Sequence, residues 1–126
     1  MGAAGEGEIA AVLTALAGVR DKDAVVAIAA GRITRAALSA GCRQPLLDEH
    51  TAGPGTAAVA VAGDSDAVRA AARLLRPGGR LVALSADTDE ARRLAAEMHV
   101  SLQHTEVVGD QIAWSGRVPL EPTTVL

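Results

Sequence analysis

The sequence holds no phenylalanine, no tyrosine and one tryptophan, Trp114, among 126 residues. A core without rings is built from Ala, Val, Leu and Ile, which suits helices packed closely on a parallel sheet. The shortage also removes the stacking platforms that single-stranded nucleic acid uses. A formal net charge of −3 removes the basic surface that phosphate backbones select, so no nucleic-acid partner is expected.

Cysteine is equally scarce. Cys42 is the only one, which excludes an intrachain disulfide and a cysteine-based zinc site. Long apolar runs are missing too, and the Met-Gly-Ala-Ala-Gly start lacks the basic and apolar regions of a secretory signal. The expectation is a soluble cytoplasmic protein with no membrane contact. Its Ala, Gly and Arg bias is that of a high-GC bacterial genome.

What is present reads as one domain, residues 8–119, between a disordered segment 1–7 and a tail 120–126. Ile9, Val12, Leu13, Leu16 and Val19 recur at helical spacing, predicting a helix from Glu8 to Val19. Ala24–Ala30 is a continuous apolar run, the mark of a strand buried on both faces. A helix Thr34–Ala40 follows, with Gly41 as its C-terminal cap. Gln44–Asp48 reads as a short edge strand because Pro45 cannot donate to a ladder. Ala57–Ala62 is a second buried strand. Asp64 or Ser65 then caps a helix Asp66–Arg76, broken by Pro77-Gly78-Gly79. Arg80–Ser85 is a third strand, and Asp87 or Thr88 caps a helix Asp89–His99. Gly109-Asp110 joins Ser101–Val108 to Gln111–Val118 as a hairpin. This order predicts an α/β fold: a Rossmann-like three-layer sandwich, its sheet mostly parallel with a C-terminal antiparallel hairpin.

The run Leu74-Leu-Arg-Pro-Gly-Gly-Arg-Leu-Val-Ala83, followed by a helix and a terminal hairpin, resembles the class I S-adenosylmethionine-dependent methyltransferases. In that family the first strand ends in an acidic residue and runs into a Gly-x-Gly-x-Gly turn. There backbone amides approach the cofactor without an intervening Cβ. Laid on that pattern, Ala27 takes the acidic position, Ala29 and Ile33 take two of the glycine positions, and Gly31 is kept. The resemblance places Asp48 at the end of the second strand, where a carboxylate meets the ribose hydroxyls. Asp64 falls where substrate-facing residues lie, although helix capping explains it equally. Between Asp48 and Ala57 there is no room for the family's third strand. The resemblance therefore implies a shortened relative whose S-adenosylmethionine site, around Gly31 and Asp48, is degenerate.

Other candidates are weaker. His50, His99 and His104 lack metal-ligand spacing, so no metal is expected. Arg32 and Arg35 stand one turn apart after Gly31, either meeting an anion there or forming a solvated basic face. Trp114 is a core residue or an interface anchor. Three functional readings fit. The first is a non-catalytic binding or partner module, forming a homodimer or pairing with another protein. The second is an active methyltransferase, or another enzyme on this fold, acting on a small molecule. The third is a nicotinamide-binding Rossmann fragment.

Overall fold

The computed structural model describes residues 3–120. In chain order these form α1 (Glu6–Ala17), β1 (Val25–Ile28), α2 (Arg32–Cys42) and β2 (Ala57–Ala62). A 3-10 turn (Ser65–Ala67) then leads into α3 (Val68–Leu74), β3 (Leu75–Ser85), α4 (Thr88–Glu97), β4 (Ser101–Val108) and β5 (Gln111–Arg117). The five strands make one sheet in the order β1-β2-β3-β5-β4. β1, β2 and β3 run parallel, whereas β5 is antiparallel to both β3 and β4. The sheet is therefore mixed.

Apolar runs dictate this arrangement. Every residue of β1 and β2 is buried, so both faces of those strands need cover. Strand alternation divides the core accordingly. Val25 and Ala27 pack with Leu13, Ala17, Leu38 and Cys42 of α1 and α2. Val26 and Ile28 pack with Val68, Ala71, Leu94 and Ala95 of α3 and α4, together with Trp114.

Several boundaries differ from the expected ones. α1 begins at Glu6, so Glu6 and Gly7 of the expected disordered segment are helical; residues 1–2 and 121–126 lie outside the described residues. β1 stops at Ile28 because Ala29 turns into the left-handed region at φ 57°. Gly41 is not the cap of α2. The helix runs on to Cys42, and Arg43 takes the left-handed position, its N–H donating to the Ser39 carbonyl. α3 ends at Leu74, not Arg76, because the residue before a proline avoids helical backbone and Leu75 is already extended. Leu75 pairs with Ala57 and Arg80 with Val59, so Arg76–Gly79 bulges out of the β2–β3 ladder. Gly78 sits at φ 79°, its N–H meeting the Val118 and Pro119 carbonyls.

The expected second strand is reduced to a single bridge. Leu47 pairs in parallel with Val26, and its N–H donates to Val25 O at 2.8 Å. Asp48 then closes a turn, accepting from Thr51 and Ala52 through its carbonyl. No further strand intervenes before Ala57.

Candidate functional site

The carboxyl ends of β1, β2 and β3 converge on three turns, where open α/β sheets place their ligands. The turn after β1 is the tightest. Gly31 is the N-cap of α2 at φ −70°, an ordinary value for any residue, so its role is not to supply positive φ. That conformation falls instead on Ala29, where an L-residue costs about 1–2 kcal/mol. The left-handed turn swings the Ala29 carbonyl over the end of β2. A Cβ at Gly63 would run into it, and Gly63 N–H donates to Ile28 O at 2.9 Å. The nearest group is the exposed Glu6 side chain, whose Oε1 lies 2.9 Å from where a Cβ on Gly31 would stand.

Glu6 thus brings a carboxylate to the positive end of α2, the place an external anion would take. The space left there is about 140 Å³, lined by Glu6, Ile9, Ala29, Gly31, Thr34 and Gly63. Arg35 is exposed, as a solvated basic face requires, but its guanidinium is tied to the backbone. Its Nη1 donates to Ala27 O at 2.8 Å, replacing the strand donor that the truncated second strand no longer provides. Arg32 remains exposed.

The other two predicted residues are engaged locally. Asp48 Oδ1 accepts from His50 N–H at 2.9 Å, holding its own turn. Asp64 Oδ1 accepts from Ala67 N–H at 2.9 Å, so Asp64 and not Ser65 is the cap. Gly31 and Asp64 line different clefts, while Glu49 and His50, beside Asp48, line a third of about 220 Å³. The fold brings the three to one edge of the sheet but not into one cavity. His104 pairs with Glu106 at 3.5 Å on β4, away from His50.

Beyond β2 the edge opens into a cleft of about 500 Å³, lined by Asp64, Ser65, Ser85, Glu90 and Asp110. Its wall carries a hydrogen-bond chain. Trp114 Nε1 donates to Ser85 Oγ at 2.9 Å, and Ser85 and Ser65 share a 3.2 Å hydrogen bond. Ser65 reaches Glu90 Oε1 at 2.6 Å, which also accepts from Ala86 N–H at 2.9 Å. Ser65 has one proton, and the charged carboxylate takes it, so Ser85 donates to Ser65. The Ser65 hydrogen bond, then the Ala86 N–H, hold the Glu90 carboxyl below its ordinary 4.5; desolvation opposes this. Trp114 is completely buried and serves the core, which excludes it as an interface anchor.

Ser85, Glu90 and Glu6 were not among the residues the sequence singled out, and Ser65 stood there only as a candidate cap. Asp87-x-x-Glu90 is a readable capping signal, and Asp87 Oδ1 does accept from Glu90 N–H at 2.8 Å. Nothing local reveals that Ser65 or Gly31 is the partner of the acid in question.

No protein-family model matches the sequence, and no curated protein matches it. Solved structures do match in shape. One belongs to the complex between the Haloferax volcanii Trm112 methyltransferase activator and a protein designated a methyltransferase. It has a TM-score of 0.67 at 11% identity, covering 90% of each chain. A second is the Burkholderia thailandensis 1,6-didemethyltoxoflavin-N1-methyltransferase with bound S-adenosylhomocysteine. Its TM-score is 0.63 at 16% identity, over 90% of this chain and 78% of that one. A third, geranyl diphosphate methyltransferase with GPP and sinefungin, gives 0.61 at 12% identity, over 88% and 78%. The fold is that of the class I S-adenosylmethionine-dependent methyltransferases.

Proposed function

We propose that the chain is a methyltransferase-fold domain that has lost methyl transfer and works as a binding or partner module. The observation that carries this reading is the closed turn after β1. Ala29 lies against Gly63, the Glu6 carboxylate stands beside the helix terminus, and about 140 Å³ remains. Pockets for ligands of this size class measure roughly 300–1,000 Å³. The acidic and glycine positions of the family are Ala27, Ala29 and Ile33, so the residues present do not fit S-adenosylmethionine.

Support for a protein partner comes from the Haloferax relative, whose structure is a complex with a methyltransferase activator. The surface we assign to a partner is the outer edge of β4. All its residues but Leu102 and Val108 are exposed, Val107 at 72%, and an unpaired edge is a template for another strand. Among the described residues no helix is long and apolar enough to cross a membrane.

Calorimetry with S-adenosylmethionine and S-adenosylhomocysteine tests the reading. Silence is expected up to millimolar concentration. Saturable binding with Kd below about 10 μM overturns it and favours an active enzyme. In that second reading the 500 Å³ cleft beside Asp64 and Glu90 takes the small-molecule acceptor. The terminal hairpin and the methyltransferase fold leave a nicotinamide site without support. Light scattering on the purified chain, alone and as a β4 variant carrying Val107→Lys, tests the assigned edge. A second copy as partner gives a dimer that the variant loses; a monomer in both directs the search to a different protein.

A further inference from the structure

At the opposite end of the sheet, the amino ends of β2 and β3 border a cleft of about 260 Å³. Its charged lining is Arg20, Arg76, Arg80 and Arg117, with Asp23 the one carboxylate. The chain is acidic overall, yet four of its eleven arginines gather here. Arg80 and Arg117 are register partners on β3 and β5, which fixes two of the four side by side. Arg76 is carried in by the Pro-Gly-Gly bulge, and Arg20 by the turn after α1.

Only Arg80 is held from within. Its Nη1 donates to Ala17 O at 3.0 Å at the carboxyl end of α1, and a side chain at Gly18 would collide with that guanidinium. Asp23 is engaged by the Arg20 backbone N–H, at 2.8 Å through Oδ2. Among the described residues the guanidinium groups of Arg20, Arg76 and Arg117 have no hydrogen bond and no carboxylate within 4.0 Å. Like charges around one concavity repel, and a bound anion removes that cost. Planar guanidinium forks match phosphate oxygens in pairs.

We propose that this cleft is an anion site for the phosphate or pyrophosphate group of a small molecule. It is separate from the edge where the methyltransferase fold places its cofactor, and it holds whether or not that edge is active. The geometry favours a compact dianion or trianion over an extended polymer, because the four arginines line one cleft of about 260 Å³.

Inorganic pyrophosphate is the probe, with sulfate as the generic anion, by calorimetry and thermal unfolding at low ionic strength. Pyrophosphate is expected to bind saturably with Kd below about 1 mM and to raise the melting temperature, with sulfate at least about tenfold weaker. The double variant R76Q/R117Q is expected to lose about tenfold or more in affinity, while melting no lower than the parent in anion-free buffer because charge repulsion is relieved. R92Q/R93Q, on the distant α4, is expected to bind as the parent does. Should the double variant fail to fold, Arg20→Gln, an exposed position, reads the same loss at smaller size. Absence of saturable pyrophosphate binding, or an equal loss in R92Q/R93Q, overturns the proposal.

Discussion

The two ends of the sheet are opposites in charge and in how that charge is used. At the carboxyl end the acids Asp48, Asp64 and Glu90 each meet a partner from the chain itself: a turn N–H, a cap or a serine. At the amino end three of four arginines have no partner among the described residues. A fold can keep the outline of a ligand site while its own groups occupy it. It can also assemble a basic concavity where the fold family gives no reason to look. Occupancy by the chain, more than position in the fold, separates the two.

The sharpest way to break this comparison is Gly63→Ala. The new methyl meets backbone, the Ala29 carbonyl, so the turn after β1 must move. A loss of at least about 3 kcal/mol is expected in urea titration, in the range of overpacked sites with strained backbone. A loss under about 1 kcal/mol would mean that the turn is soft and the carboxyl end open to a ligand.

Glu90→Ala comes next, at about 1–2 kcal/mol near neutral pH, since it leaves Ser65 and the Ala86 N–H without their charged acceptor. The sign of its pH dependence follows from a carboxyl held below 4.5 in the folded state. The contribution is present above the unfolded value and is lost as pH falls through the lowered folded value. The gap between parent and variant should therefore narrow in acid. A gap that widens in acid would contradict the assigned hydrogen bonds.

Gly78→Ala probes the other end. It places a side chain at φ 79° and nudges only the flexible end of Leu120, so about 1–2 kcal/mol is expected. A larger loss than at Gly63 would reverse the ranking of the two ends. The smallest effect is a gain. Ala29→Gly relieves the left-handed turn and should stabilise by up to about 1 kcal/mol, seen as a higher urea midpoint. Binding of S-adenosylmethionine by that variant alone would identify Ala29 as the residue that closed the site.

The architecture was largely legible because it rests on local patterns. Fully apolar runs such as Ala57–Ala62 leave few alternatives to a central strand, and Gly109 at φ 60° makes the hairpin turn that its sequence signals. Helix ends were less legible, since Arg43 took a left-handed cap position that Gly41 was suited to fill. The site was least legible of all. Glu6 against Gly31, Arg35 on Ala27 O and Arg80 on Ala17 O join residues far apart in sequence, and only the assembled sheet makes them neighbours.

Trp114 turns one of these contacts into a signal. It is the chain's only aromatic residue, so near-ultraviolet absorption and emission come from a single ring, with no tyrosine to transfer energy into it. That indole donates to Ser85, one hydroxyl away from Ser65 on the wall of the cleft. A change in colour or intensity of emission, without unfolding, reports a rearrangement at the carboxyl end. The amino-end cleft has no such reporter in its lining, so a ligand seated there should leave the spectrum dark to its arrival.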